Sequence, residues 1–320
     1  MITFGPVPSR RLGRSVGINN IPPKICTYSC VYCQLGRTNN LQITRQQFYK
    51  PQEILDDVTR KIQAAKENEE AIDYLTFVPD GEPTLDISLG TEIQLLKNLS
   101  LAPKKTKIAV ITNSSLIDRK DTQDDVSNAD WVSLKIDVIT QSIWRKINRP
   151  HGSLKYTNIL QGIADFSHSF KGDLTTETML VKGVNDQTQE LEKITDFIQQ
   201  LKPKKSYLSI PTRPPAETWV TPPSENQLNI AYQMFKEKDI DAECLIGYEG
   251  NTFGYTGNIE DDLLGITAVH PIRKDGVIKL LTKANRDWSV IEKLLYENKL
   301  MEVEYDDKKF YVRRFPKKTL

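Results

Sequence analysis

Residues 15–34 read SVGINNIPPKICTYSCVYCQ, an apolar, β-branched run followed closely by three cysteines in the spacing C-x3-C-x2-C. The run over 15–22 predicts a strand, and Cys26, Cys30 and Cys33 fall on the loop that leaves it. No fourth ligand stands beside them: His151, His168, His270 and Cys244 are all more than a hundred residues further on. A tetrahedral zinc site usually shows two C-x2-C arms, or cysteines with histidines at matching spacing. A ferredoxin run is C-x2-C-x2-C with a fourth cysteine elsewhere. The loop matches neither. A structural zinc knot or free buried thiols is the bland alternative for it.

Outward from the loop, strand-like runs alternate with segments of helical period. Strands are expected at 72–80, 107–113, 131–139, 175–181 and 206–211, with helices over 51–68, near 88–98, and over 153–168, 187–201 and 224–238. The helix over 51–68 places Ile54, Val58 and Ile62 on one face. Six β/α units in a row imply an α/β fold with a parallel sheet and right-handed crossovers. Six are fewer than the eight of a closed barrel, so the expected form is a partial (β/α)6 barrel. In such folds chemistry gathers at the C-terminal ends of the strands, where the cysteine loop lies.

The 320 residues, 38% hydrophobic and 27% charged, suit one large α/β domain with a small companion. A net charge of +1 gives no bulk attraction to nucleic acid or to an anionic membrane. The start MITFGPVPSRR has no apolar signal region, and no apolar run approaches the roughly 18 residues of a membrane span. Four cysteines, three of them crowded, point to metal or redox chemistry rather than a disulfide framework, and the expected location is cytoplasmic. The expected domains are 1–256 and 257–320. After residue 256, three helical segments, the last with Asp287 as N-cap, precede a hairpin around Asp306–Lys309. That order suggests a winged-helix-like α+β module. The Pro-rich stretch RPPAETWVTPP (213–223) reads as a stiff loop.

The pattern Cys26-x3-Cys30-x-Tyr32-Cys33 resembles the signature of the radical S-adenosylmethionine (SAM) superfamily. The resemblance implies a [4Fe–4S] cluster on the three cysteines, with the fourth iron left open to chelate SAM. The missing ligand would then be the cosubstrate. It further implies that FVPDGEPTL (77–85) carries the turn that meets the SAM amino group. Gly81, Glu82 and Pro83 fall on that turn, with Asp80 where the family has a first glycine. Asn113 ends the third strand, and Ser133, Lys135 and Asp137 share one face of the fourth by the two-residue alternation. The family uses such residues on the ribose and carboxylate of SAM; an exposed strand face is the alternative for each. The segments GPVPSRRLGRSVGINNIPPK (5–24) and LIGYEGN (245–251) resemble uncharacterised relatives of the wyosine-forming tRNA enzymes. Those enzymes are expected to hold a second cluster on three further cysteines, and only Cys244 is left here, so their mechanism does not carry over.

The implied activity is reductive cleavage of SAM to a 5′-deoxyadenosyl radical that abstracts hydrogen from a substrate, with electrons from a flavodoxin or ferredoxin. A tRNA base is the favoured substrate, docked with help from the winged-helix module. Arg10, Arg11 and Arg14 are candidate phosphate contacts. Glu177, Lys182, Arg213, Tyr248 and Glu249 are further candidates near the mouth. Activation of a glycyl-radical enzyme, or a peptide or small-molecule substrate, is the alternative. A metal-stabilised nucleic-acid-binding protein is the reading of another class; with 13 Lys+Arg against 11 Asp+Glu in residues 258–320, no strongly basic face supports it.

Overall fold

The computed structural model describes residues 2–78, 80–99, 106–245, 253–269 and 271–314. Its centre is one curled, eight-stranded sheet, a half-barrel in the order β1-β2-β5-β6-β7-β8-β9-β10. The strands are β1 (Thr3–Ser9), β2 (Gly13–Ile18), β5 (Tyr74–Phe77), β6 (Lys107–Thr112), β7 (Trp131–Lys135), β8 (Asp173–Met179), β9 (Lys205–Ser209) and β10 (Ala242–Leu245). The two-residue strands β3 (Ile25–Cys26) and β4 (Asn40–Leu41) pair with each other and close the cysteine loop. From β2 to β10 every sheet neighbour is parallel. Only β1 runs antiparallel, against β2.

The partial barrel of parallel strands is therefore present, with two additions to the six expected strands. The extra strand β10 follows the helix Glu225–Glu237. The edge strand β1 lay hidden because Pro6 and Pro8 argue against a strand; an edge position tolerates them.

Helices α1 (Pro51–Glu67), α2 (Leu89–Lys97), α3 (Lys120–Val126), α4 (Gln141–Ile147), α5 (Tyr156–Ser169), α6 (Thr188–Leu201) and α7 (Glu225–Glu237) make the crossovers. The amphipathic α1 shows why they form. Pro51 opens it, and Ile54, Val58, Ile62 and Ala65 bury one stripe against the sheet. That outer core is continuous around the half-barrel. The inner face is different. Leu12, Ala109, Trp131, Tyr207 and Leu245 form a separate apolar plug that fills the lower end of the barrel.

The C-terminal segment has the order α8 (Ile259–Val269), β11 (Ile272–Arg273), α9 (Lys274–Lys283), α10 (Ser289–Tyr296), β12 (Leu300–Tyr305) and β13 (Lys308–Arg313). Helices followed by an antiparallel sheet match the winged-helix-like expectation. Asp306 and Asp307 turn the hairpin with positive φ at both positions, which suits the twist of a two-residue hairpin. Asp287 caps from just outside α10, accepting the Ser289 amide at 3.0 Å. The module is welded to the barrel: Phe4 and Val7 of β1 share a core with Phe253, Leu263 and Ile266. Buried Glu70 strengthens the seam, accepting Arg14 at 2.5 Å and the Tyr255 amide at 2.9 Å and pairing with Lys283. No helix among the described residues is long and apolar enough to cross a membrane.

Candidate active site

The cysteine loop begins just beyond the C-terminal end of β2 and is held there by its own apolar residues. Tyr28 and Val31 point into the core, Tyr28 edge-on to Trp144 with ring centroids 5.9 Å apart. The main chain is pinned on two sides: Val31 donates to Ile147 O at 2.9 Å, and Glu82 donates to Ile25 O at 3.2 Å. Cys26, Cys30 and Cys33 are left half-buried on the remaining side.

Two side-chain amides address the sulfurs. Asn113, at the end of β6, donates to Cys26 Sγ at 3.4 Å and to Thr27 Oγ1 at 2.8 Å. Asn148, after α4, donates to Cys30 Sγ at 3.4 Å, Asp137 Oδ2 at 2.8 Å and the Tyr32 oxygen at 3.2 Å. The Tyr32 hydroxyl donates to Asp137, which also accepts the Met179 amide at 2.9 Å. Asp137 is thus turned toward the cysteine loop. Burial first, then the charge of Asp137, pushes the Cys30 thiol up to about 12, and burial raises Cys26 and Cys33 as well. Thiols so placed stay protonated until a metal displaces their protons.

The turn after β5 docks on the loop. A side chain at Gly81 would stand 1.9 Å from Ile25 O, so only glycine fits there. Glu82 is buried and accepts Thr84 Oγ1 at 2.6 Å, Thr112 Oγ1 at 2.6 Å and the Asn113 amide at 2.8 Å, tying the ends of β5 and β6 together. Pro83 opens a short 3₁₀ turn.

Below the loop lies a cavity of about 320 Å³, lined by Tyr32, Cys33, Gln34, Lys135, Glu177, Ser209 and Arg213, among others. Lys135 donates to Glu177 Oε1 at 3.0 Å and sits over the Tyr32 ring, 5.0 Å from its centroid. Arg11 pairs with the same carboxylate, and Ser209 donates to it at 3.1 Å. Burial would raise Glu177, yet Lys135, Arg11 and Ser209 together hold it well below the usual carboxylate range. The buried Ser133 Oγ, one alternation below Lys135, has no hydrogen-bond partner among the described residues.

The expected phosphate contacts do not form one group. Arg10 is exposed on the β1–β2 turn, at the N-terminal ends of the parallel strands and so at the opposite end from the cysteine loop. Arg11 enters the barrel from that turn, and Arg14 is taken up by Glu70 at the module seam. Lys182 is exposed and is not among the cavity-lining residues; Tyr248 and Glu249 lie outside the described residues. Sequence reasoning missed Asn148, Thr27, Ser209 and Glu217. No local pattern marks them, because each acquires its neighbours through the fold.

Among the described residues no three His, Cys, Asp or Glu side chains converge to hold a single metal ion. Three thiols that each bind a different iron of a cluster need not converge. The donor set fits such a cluster: three half-buried thiols on one loop, two of them met by side-chain amides, beside a cavity that Cys33 and Lys135 line.

A half-barrel with a three-cysteine loop at the end of its first parallel strand defines a class, and the chain belongs to the Radical SAM superfamily, whose family model matches residues 20–198. Members bind a [4Fe–4S] cluster and SAM, and these are the cofactors here. The chain is 45% identical over 314 residues to the UPF0026 protein MJ1312 of Methanocaldococcus jannaschii, covering 98% of this chain and 96% of that one. It is 25% identical over 189 residues to the dual-specificity RNA methyltransferase RlmN of Buchnera aphidicola, covering 56% of this chain and 49% of that one. Its fold is similar to a radical SAM methyltransferase from Sphaerobacter thermophilus, with a TM-score of 0.55 at 16% identity over 72% of this chain and 66% of that one.

Proposed function

We propose that the protein is a SAM-cleaving radical enzyme that acts on a base of tRNA. The observation that carries the chemistry is the crowding of Cys26, Cys30 and Cys33 on one loop beside the Gly81–Pro83 turn, at the mouth of a cavity that Lys135, Arg11 and Glu177 enter. A cluster and SAM bound at this place would supply one-electron cleavage of SAM to methionine and a 5′-deoxyadenosyl radical able to take a hydrogen atom from the substrate. The chain's own residues position and shield. Cys26, Cys30 and Cys33 hold three irons, and Asn113 and Asn148 hydrogen-bond two of the sulfurs. The Gly81–Glu82–Pro83 backbone receives the amino group of SAM. Lys135 is the cation for its carboxylate, and Ser133 offers a hydroxyl deeper in the barrel. Tyr32 and Asp137 brace the loop; Glu177 and Arg11 form the floor on which a substrate group rests. A flavodoxin or ferredoxin supplies the electrons.

RNA as substrate is supported by the similarity to an RNA methyltransferase and by the resemblance of residues 5–24 and 245–251 to relatives of tRNA enzymes. A base would have to be splayed out of its stack to enter the cavity. Anaerobic reconstitution with iron and sulfide should give a brown protein that releases 5′-deoxyadenosine under dithionite. A colourless protein holding one zinc overturns the chemistry. Comparative mass spectrometry of tRNA nucleosides from a deletion strain tests the substrate, and an unchanged nucleoside profile removes the tRNA assignment.

A further inference from the structure

The Pro-rich loop at 213–223 carries a feature that the chemistry above does not use. Glu217 is tied to the cysteine loop by its backbone, donating to Val31 O at 3.1 Å, between the second and third cysteines. Its carboxylate grips two guanidinium groups: Arg37 through Nε at 2.8 Å and Nη2 at 3.1 Å, and Arg149 at 2.5 Å. One carboxylate against two guanidiniums leaves a net positive charge, and the fork geometry fixes where it sits. The Val220 amide closes a turn on Glu217 O at 3.1 Å, and at the third position of that turn stands Trp219, 46% exposed. Arg213, at the start of the same loop, lines the cavity.

A large ring held in solvent on a braced turn, with fixed guanidiniums on the same loop assembly, matches an anionic ligand with planar faces. We propose that Trp219, Arg37 and Arg149 form the docking platform for an unpaired stretch of RNA beside the cavity mouth, a base stacking on Trp219 and phosphates meeting the arginines. This rests on the RNA reading above and moves the contact away from the winged-helix-like module, which was expected to dock the nucleic acid. There, the exposed residues of α10 are Ser289, Glu292, Tyr296 and one cation, Lys293, which is itself paired with Glu260, and Glu297 follows at the helix end. That helix offers phosphate no cation that is not already paired with a carboxylate.

The test is fluorescence anisotropy of the reconstituted holoenzyme with bulk tRNA from a strain lacking this gene, over a series of KCl concentrations. Trp219→Ala should weaken binding about tenfold or more, and Trp219→Phe should restore most of the loss. Arg149→Ala should weaken binding and reduce the slope of log affinity against log salt by about one. Lys293→Ala should change neither. Equal affinity and slope for the wild type, Trp219→Ala and Arg149→Ala would overturn the platform while leaving the RNA reading in place. Wild-type protein with no measurable affinity for tRNA would instead overturn the RNA reading, and the platform with it. A loss confined to Lys293→Ala returns the contact to the module.

Discussion

The side-chain amide of Asn113 lies 3.4 Å from the sulfur of Cys26 and 2.8 Å from Thr27 Oγ1, and so joins the end of the third parallel strand to the loop after the first. Hydrogen bonds to cluster sulfurs disperse negative charge and favour the reduced state. Asn113→Ala should therefore lower the reduction potential of the reconstituted cluster by about 40 mV, the one-electron equivalent of a hydrogen bond of about 1 kcal/mol. A redox titration followed by electron paramagnetic resonance reads this directly. An intact cluster at unchanged potential would exclude the contact from tuning.

Replacing any one of Cys26, Cys30 and Cys33 by serine should abolish the brown chromophore and the cluster iron after anaerobic reconstitution. Cys244→Ser should retain both, since Cys244 sits on β10, remote in sequence from the loop and packed against the outer core. Iron and sulfide analysis of the four variants distinguishes them. Loss of iron in Cys244→Ser would require a different ligand set.

The Glu177 carboxylate reconciles two partly buried cations. Glu177→Ala leaves Lys135 and Arg11 in the barrel without their common partner, so a loss of about 3–5 kcal/mol in urea unfolding is expected. Lys135→Met should be milder for stability, because Glu177 keeps Arg11 and Ser209. The same variant should lose affinity for SAM in calorimetry. Undiminished SAM binding would remove Lys135 from the cofactor site.

A buried acidic pair predicts a pH dependence. Glu92 and Asp86 are buried side by side near Asn20. Burial, then the charge of Asp86, pushes Glu92 up to about 9, and burial takes Asp86 to about 6. Both acids bind protons more tightly when folded than unfolded. Folding stability should therefore fall as pH rises from about 5 toward 9, by about 1.4 kcal/mol per pH unit where one proton is at stake. Glu92→Gln, which keeps a donor without the charge, should flatten that fall. Parallel slopes for the two proteins in thermal melts from pH 6 to 9 would refute the pairing.

Much of the barrel was legible because its signals are local. The runs at 107–113 and 131–139 contain β6 and β7, and the helices expected at 187–201 and 224–238 match α6 and α7 to within a residue or two at each end. Strand ends drifted more: the run at 72–80 yields only Tyr74–Phe77, since Asp80 and Gly81 leave the sheet to form the turn on the cysteine loop. The edge strand β1 escaped notice because its prolines contradict the propensity on which such reading depends. The three arginines at 10, 11 and 14 looked like one group by adjacency. Their turn and strand send Arg11 into the barrel, Arg14 to Glu70 and Arg10 to solvent.

By itself, then, the amino-acid sequence determined the half-barrel, the three-cysteine loop at its catalytic end and the helices-then-hairpin order of the last sixty or so residues. Hydrophobic period and ligand spacing are properties of neighbouring residues and survive without any fold. Only the tertiary structure decided that Asn148 meets Cys30, that Glu217 gathers Arg37 and Arg149, and that the module shares a core with β1. Glu217 lies 180 residues from Arg37 along the chain. Contacts over such separations depend on how strands register and helices pack, and no single stretch of sequence encodes them.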